Sequence, residues 1–162
     1  MKNVTTALGL SVLLIVSCPA GAGPRLDGTG KFATANDLAA AGRTVTLAKR
    51  GNSRAQGLLG LMYEYGNGVP QSDAEAAYWY RRAADQSHPT AQYLLGLMYE
   101  KGHGVSQSDM QAYVWLSLAA ANAPRPAKEY YSRVRNAVAA KLSRAEIIEA
   151  QAWAAQFSSA SR

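Results

Sequence analysis

The chain has 162 residues, which is the size of one domain, and 48% of its residues are apolar against 17% charged, so it can form a packed core. Lysine and arginine number 17 against 11 aspartates and glutamates, a net charge of +6. The basic residues are scattered, with only short pairs such as Lys49-Arg50. This pattern indicates a mildly basic surface and excludes the dense basic stretches of a nucleic-acid-binding protein.

Residues 1–22 have the features of a signal peptide. Lys2 supplies a positive charge, and the apolar run from Ala7 to Val16 has about ten residues, too few to cross a membrane. Two processing sites compete: a small-x-small site at Ala20-Gly21-Ala22, and the stretch Ile15–Cys18, which resembles a bacterial lipobox with Cys18 as the lipidated residue. We therefore expect an exported protein that is periplasmic, anchored through Cys18, or secreted.

A linker and a first helix follow the signal peptide. Residues 23–34 are predicted to be a flexible linker, because the stretch begins with Gly23-Pro24 and contains two more glycines. From Ala35 the pattern is helical, with a first helix predicted over Ala35–Lys49. Cys18 is the only cysteine, so the mature chain keeps no free thiol for a disulfide and must rely on its core.

Two nearly identical stretches dominate the rest of the chain. AQGLLGLMYEYGNGVPQSD begins at Ala55, and AQYLLGLMYEKGHGVSQSD begins 36 residues later, at Ala91. A fixed period of this length is typical of stacked helical hairpins, each of which buries one face against its neighbour. We predict repeats over about 51–86 and 87–122, capping helices over 126–158, and an all-α domain over 35–158 without strands.

Each repeat is predicted to contain two helices. The first helix of the first repeat spans Ser53–Tyr65, ends at Gly66, and is followed by a helix that begins with a capping box at Ser72 and Glu75. Helical spacing gives a packing face in each repeat, formed by Ala55, Leu58, Leu59, Met62 and Tyr63 in the first, and by Ala91, Leu94, Leu95, Met98 and Tyr99 in the second.

The remaining helices and the glycines complete the predicted architecture. A third helix of the first kind is predicted over Lys128–Leu142, and a last helix begins at a capping box formed by Ser143 and Glu146. Gly60 and Gly96 occupy the same mid-helix position in both repeats, although glycine costs about 1 kcal/mol there relative to alanine. We therefore predict that helices cross at these two glycines with almost no gap.

These residues carry a family resemblance. The pattern A-Q-x-x-L-G-x-M-Y-x-x-G-x-G-V-x-x-x-x-x-x-A-x-x-W, present over Ala55–Trp79 and Ala91–Trp115, resembles the Sel-one-like repeats, which are relatives of tetratricopeptide repeats. The segment Leu142–Ala154 resembles the helix that often closes such arrays. The resemblance implies a right-handed α/α superhelix that mediates protein–protein contacts and has no chemistry of its own. The cysteine pairs of some exported relatives are absent.

The sequence offers no candidate for catalysis. His88 and His103 are the only histidines, and neither is flanked by the other donors that a metal site needs, so we expect no metal and no cofactor. Gly66-Asn67-Gly68 lacks the preceding strand and following lysine of a phosphate-binding loop. The aromatic residues of the repeats are expected to be scaffold, with a carbohydrate platform as the alternative.

The candidate binding residues lie on the first helices of the two repeats, away from the packing face. In the family, the first helices of the repeats line the concave surface. We call the ten candidates the concave stripe: Arg54, Gly57, Leu61, Glu64, Tyr65, Thr90, Tyr93, Leu97, Glu100 and Lys101. The alternatives are ordinary solvent exposure of the stripe and a core position for Leu61 and Leu97. Changing Tyr93 and Lys101 together is expected to abolish partner capture and to leave the melting temperature nearly unchanged.

The functional prediction is a non-enzymatic scaffold of the bacterial envelope that binds a protein or a peptide on its concave face. Contact with a membrane is expected only through a lipid on Cys18. The alternative functions are a hydrolase associated with the cell wall or with polysaccharide, and an accessory lipoprotein whose main role is anchoring. A nucleophile with a base in reach would favour the hydrolase, and the sequence presents no such pair.

Overall fold

The computed structural model describes residues 35–160, with side chains described from Ala39 to Ser158. This part of the chain contains seven helices and no strand: α1 Ala35–Lys49, α2 Ser53–Tyr65, α3 Asp73–Asp85, α4 Pro89–Lys101, α5 Asp109–Asn122, α6 Arg125–Ala139 and α7 Arg144–Ala160. The prediction of an all-α repeat fold is confirmed. The predicted signal peptide, Cys18 and the linker over 23–34 lie outside the described residues.

Helix ends are set by capping residues at equivalent positions of the two repeats. The side chains of Asn52 and His88 accept the first free N–H groups of α2 and α4, and Ser72 and Ser108 do the same for α3 and α5. Gly66 and its equivalent Gly102 adopt the left-handed conformation, with φ of 69° and 73°. The two repeats therefore begin and end their helices by the same local chemistry.

Helix α6 differs from its predicted span of Lys128–Leu142. It begins three residues earlier, at Arg125, because Pro124 acts as its N-cap and the Pro124 carbonyl accepts the Lys128 N–H at 3.0 Å. It ends at Ala139, and the N–H of Leu142 donates a hydrogen bond of 3.1 Å to the Ala139 carbonyl. The predicted capping box is present: Ser143 Oγ accepts from the Glu146 N–H, and Glu146 Oε2 accepts from the Ser143 N–H.

The helices pack as a linear stack with a modified end. Helices α2 and α3 form one hairpin and α4 and α5 the next, while α1 packs on α2 and α6 packs on α5. Helix α7 packs on α5 too, with the Phe157 ring 5.3 Å from the Trp115 ring. The Arg81 guanidinium lies 4.9 Å from the centre of the Trp115 ring. Helix α5 is thus covered on several sides, which explains why it has the longest run of buried residues.

One buried glutamine in each repeat joins that repeat to the helix before it. Gln56 donates from Nε2 to the Ala48 carbonyl at 3.1 Å, and its Oε1 accepts from Gln86 Nε2 at 2.6 Å. In the second repeat, Gln92 donates to the Ala84 carbonyl at 3.0 Å and accepts from Asn122 at 3.0 Å. Both amides are satisfied inside the core, as buried polar groups must be. The same bonds therefore recur at both junctions, 36 residues apart.

The glycine turn of the second repeat touches the first repeat. Gly104 has a positive φ of 68°, and a Cβ placed on it would overlap the backbone carbonyl of Asp73, the first residue of α3. Only a residue without a side chain allows this approach of two backbone segments. The turn after α4 is consequently fixed against the start of the preceding repeat's second helix.

The predicted close crossings at Gly60 and Gly96 are confirmed. A Cβ on Gly60 would lie 2.5 Å from two carbons of the Tyr80 ring, and a Cβ on Gly96 would lie 2.8 Å from Leu116 Cγ. Tyr80 and Leu116 are both fully buried. Each glycine therefore makes room for a large side chain of the second helix of its own repeat.

Replacing Gly60 with alanine is expected to lower the free energy of unfolding by about 1–3 kcal/mol, because the added methyl group overpacks a buried ring. The matched control is Gly42→Ala in α1, where a Cβ would meet nothing within 4 Å. That change should stabilise the protein by up to about 1 kcal/mol through helix propensity. Urea denaturation followed by circular dichroism measures both, and a stabilised Gly60→Ala variant would contradict the close crossing.

Candidate protein-binding groove

A groove opens between α2 and α4, the first helices of the two repeats. Its volume is about 490 Å³. The residues that line it are Arg54, Gly57, Leu58, Leu61, His88, Thr90, Ala91 and Leu94. The groove therefore has an apolar floor, made mainly of leucines, and a polar edge at the N-terminal ends of the two helices.

Leu58 gives the groove its exposed apolar surface. The prediction that Leu58 belongs to the packing face of α2 is wrong, because half of this side chain is exposed to solvent (50%). Leu59, one residue later, is almost completely buried. Leu58 instead continues the line of Arg54, Leu61 and Tyr65, which lie at helical spacing on the open side of α2. Its neighbour Leu61 is partly buried and packs against the main core.

The groove is open because the first repeat has glycine where the second has tyrosine. Gly57 is buried, and a Cβ on it would lie 3.7 Å from the His88 ring. Tyr93, its equivalent, stacks on Tyr131 of α6 with ring centres 4.4 Å apart, and its hydroxyl lies 3.2 Å from that of Tyr130. The corresponding space between α4 and α6 is therefore occupied by aromatic rings.

This packing changes the interpretation of Tyr93. The expectation that Tyr93 can be changed together with Lys101 without loss of stability conflicts with its stacked contact, because removing an aromatic partner costs packing energy. Lys101 itself is exposed at the last turn of α4. Burial and the Tyr130 hydroxyl also raise the pKa of Tyr93 above its ordinary value. Tyr93 thus holds α6 in place.

The two glutamates of the concave stripe also have partners within the chain. Glu64 accepts a hydrogen bond of 2.5 Å from the buried Tyr80 hydroxyl, and burial together with this bond raises the pKa of Tyr80. Glu100 accepts from Lys141 at 2.6 Å, which fixes the turn after α6 to α4. Neither carboxylate lines the groove. The negative charge of the stripe is therefore engaged in structural contacts.

The polar edge of the groove is formed by Arg54 and His88. Arg54 is exposed and makes no hydrogen bond or ion pair with any residue that the structure describes. His88 Nδ1 accepts the Ala91 N–H at 3.3 Å as the N-cap of α4, where Asn52 caps α2. Burial lowers the pKa of His88, and the nearby Arg54 charge lowers it further. The ring is therefore held neutral at the edge of the groove.

The pKa of His88 predicts that the protein loses stability in mild acid. The folded-state pKa lies below the ordinary value of 6.5. Well above pH 6.5 the histidine is neutral in both the folded and the unfolded state. As the pH falls below 6.5, the unfolded state takes up a proton before the folded state does. The free energy of unfolding therefore decreases until the pH passes the folded-state pKa. Urea denaturation between about pH 7.5 and about pH 5.5 measures this decrease.

His88→Asn is the matched control for this pH dependence. Asparagine already caps the equivalent helix through Asn52, so the variant keeps the cap and removes the titrating group. Its free energy of unfolding should change less between the two pH values than that of the unaltered protein. An equal decrease in both proteins would contradict the assignment to His88.

The structure brings four residues of the concave stripe into the groove and places the others elsewhere. Arg54, Gly57, Leu61 and Thr90 line it. Tyr65 and Lys101 are exposed beyond it, Leu97 is half-buried, and Glu64, Tyr93 and Glu100 make the contacts described above. Sequence reasoning missed Leu58, His88, Ala91 and Leu94. The spacing of Arg54, Leu58 and Leu61 could have revealed Leu58, because it places all three on one side of a helix.

Comparison with known proteins agrees with this architecture. The family model described as Sel1 repeat matches residues 53–88 and 89–124. The chain contains two Sel1 repeats. Each match covers one pair of helices, α2 with α3 and α4 with α5. Sel1 repeats generally mediate protein–protein interactions and are generally non-catalytic.

Two solved structures of Sel1-repeat proteins resemble the chain. The first is c5321, a protective antigen present in uropathogenic Escherichia coli strains that displays an SLR fold, with 30% identity and a TM-score of 0.69 over 74% of this chain. The second is a Sel1 repeat protein from Oxalobacter formigenes, with 33% identity and a TM-score of 0.53 over 56% of this chain. The chain spans only 25% and 37% of their lengths. No curated protein sequence matches it.

The described residues contain neither a cluster of metal ligands nor a helix suited to cross a membrane. No group of three or more histidine, cysteine, aspartate and glutamate side chains is placed to hold a metal ion there. None of the helices within that same part of the chain combines the length and the apolar character that a membrane span requires.

Proposed function

We propose that this Sel1-repeat chain is a non-enzymatic binding module of the bacterial envelope that holds a segment of another protein in the α2–α4 groove. The observation that carries the proposal is the half-exposed Leu58 inside a groove of about 490 Å³. Binding sites are typically concave, largely apolar and about 300–1,000 Å³ in volume, with a few polar groups that orient the ligand. The general role of Sel1 repeats supports the same conclusion.

Separate replacement of two half-exposed leucines by glutamine tests whether the groove binds a partner. Leu58→Gln removes the apolar contact from the groove, and Leu47→Gln makes the same change in α1, at a residue that is 47% exposed and does not line it. Both tagged variants and the unaltered protein are incubated with envelope extract, and bound proteins are identified by mass spectrometry. We expect Leu58→Gln to lose a partner that Leu47→Gln retains, with similar melting temperatures. A partner bound equally by all three proteins would contradict binding in the groove.

Export is part of the proposal and rests on the sequence. Lys2, the apolar run over 7–16 and the two processing sites support secretion, and Ile15–Cys18 supports a lipid anchor. One acyl chain anchors a protein only weakly, so stable attachment takes a second chain or another membrane signal. A module fixed in this way would hold its partner at the membrane surface.

Labelling with radioactive palmitate distinguishes the two processing sites. We expect label in the full-length protein expressed in bacteria and none in Cys18→Ser, because Cys18 is the only cysteine in the sequence. Mass spectrometry of the mature N-terminus provides the control. An unlabelled protein that begins after Ala22 would instead establish ordinary secretion and would remove the anchor from the proposal.

A further inference from the structure

The α2–α4 groove presents hydrogen-bond donors that lack acceptors. Its lining includes no aspartate and no glutamate. Arg54 has five N–H donors and no partner among the residues that the structure describes. Because His88 Nδ1 accepts the Ala91 N–H, the proton of the neutral ring lies on Nε2, which is a second donor. The groove therefore favours a ligand that brings acceptors.

The carboxylates that α2 and α4 carry do not neutralise this edge. Glu64 is bonded to Tyr80 and Glu100 to Lys141. The positive end of the α4 dipole, near Thr90, adds to the charge of Arg54. An acidic group at this edge is thus favoured by the positive charge of Arg54, which forms no ion pair with the described part of the chain.

The floor beside this edge requires an apolar side chain. Leu58, Leu61 and Leu94 line it, and Leu58 is half-exposed, so a bound ligand would cover the exposed half of this side chain. Burial of apolar surface supplies binding energy, whereas the charged edge orients the ligand and sets its specificity. Leu58 lies one helical turn from Arg54, so the two requirements are met by neighbouring residues of one ligand.

Building on the proposed function, we propose that the occupant of the groove is an acidic peptide segment of another protein. An apolar side chain of the segment contacts Leu58, Leu61 and Leu94, and a carboxylate one or two residues away accepts from the Arg54 guanidinium. A linear segment fits because the groove runs between two helices and is open to solvent. A basic segment is disfavoured by the same charge.

Selection from a random dodecapeptide library displayed on phage tests the chemistry of the occupant. The unaltered full chain should enrich peptides that carry aspartate or glutamate within two residues of a large apolar side chain. A fluorescein-labelled copy of the most enriched peptide then gives dissociation constants by fluorescence polarisation. Arg54→Gln should weaken its binding about tenfold or more, as expected for loss of a hydrogen bond between charged groups.

Matched variants test whether the weaker binding of Arg54→Gln arises in the groove. Arg50→Gln removes another exposed arginine, outside the groove, and should change the dissociation constant much less than Arg54→Gln. A peptide with glutamine in place of the carboxylate should bind the unaltered protein more weakly and Arg54→Gln about equally, because the two changes remove one interaction. Equal effects of Arg50→Gln and Arg54→Gln would overturn the proposal in favour of general attraction to a basic protein.

Other outcomes separate this inference from the proposed function. Gly57→Tyr fills the groove with the second repeat's own residue, and Leu58→Gln disrupts its floor without added bulk. If selected peptides are neutral or basic but lose binding in these variants, the acidic occupant is wrong and the groove remains the site. Peptides that bind both variants as well as the unaltered protein overturn both proposals. Enrichment of no peptide over the empty support overturns the linear occupant.

Discussion

Replacing Trp79 with alanine is expected to lower the free energy of unfolding by about 3–5 kcal/mol, the usual cost of deleting a large aromatic side chain from a core. Only 8% of Trp79 is exposed. Its ring packs in the cluster that contains Ala48 of α1 and Ala55 and Leu59 of α2. The substitution therefore leaves a cavity where α1 joins the first repeat. Urea denaturation measures the loss, and hydrogen exchange should show it most strongly in α1.

Trp79→Phe serves as the control for this cavity. The indole Nε1 has no hydrogen-bond partner among the described residues, so phenylalanine gives up ring volume without losing a hydrogen bond. We expect it to cost clearly less than the alanine change. A Trp79→Ala variant that loses less than about 1 kcal/mol would mean that the ring contributes little to the join between α1 and the first repeat.

Replacing Gly104 with alanine is expected to cost about 2–5 kcal/mol through two additive effects. Its φ of 68° is unfavourable for a residue with a side chain by about 1–2 kcal/mol, and the new Cβ would overlap the Asp73 carbonyl. Backbone atoms cannot swing aside as a flexible side chain can, so the overlap adds about 1–3 kcal/mol. The loss should appear in urea denaturation as a lower midpoint.

Gly51→Ala separates the two effects. Gly51 also has a positive φ, 93°, but a Cβ on it would meet nothing within 4 Å. This variant therefore loses only the conformational part, and we expect a smaller decrease than for Gly104→Ala. Equal losses in the two variants would show that the contact between the second glycine turn and Asp73 relaxes without cost.

Most of the fold could be predicted because the same sequence pattern occurs in two copies. The 36-residue period and the paired glycines at 60 and 96 can be read directly from the sequence. The structure confirms the physical cause of the glycines, which is a helix crossing without room for a side chain. The bounds of α6 could not be predicted as well. That helix has lost the glycine pattern, and its start depends on a cap by Pro124 that has no counterpart in the repeats.

The site could be predicted only in part, for reasons of tertiary packing. Leu58 and Leu59 are adjacent and chemically identical, so spacing alone does not decide which one faces the core. The contrast between Gly57 and Tyr93 is visible in the sequence. Its meaning depends on Tyr131, which α6 brings against Tyr93 from 38 positions away in the chain. The partner of Glu64, Tyr80, is likewise set by the pairing of α2 with α3.

The buried glutamines have a consequence for how such proteins change length. Gln56 and Gln92 meet the same kind of acceptor on the preceding helix and the same kind of donor on the following one, so one junction has the chemistry of the next. A duplicated segment of 36 residues would reproduce every one of these junction bonds, whereas a gain of only part of a repeat would leave a glutamine amide in the core without its partner. Duplication or loss of a whole repeat therefore preserves the buried hydrogen bonds at each junction of such an array.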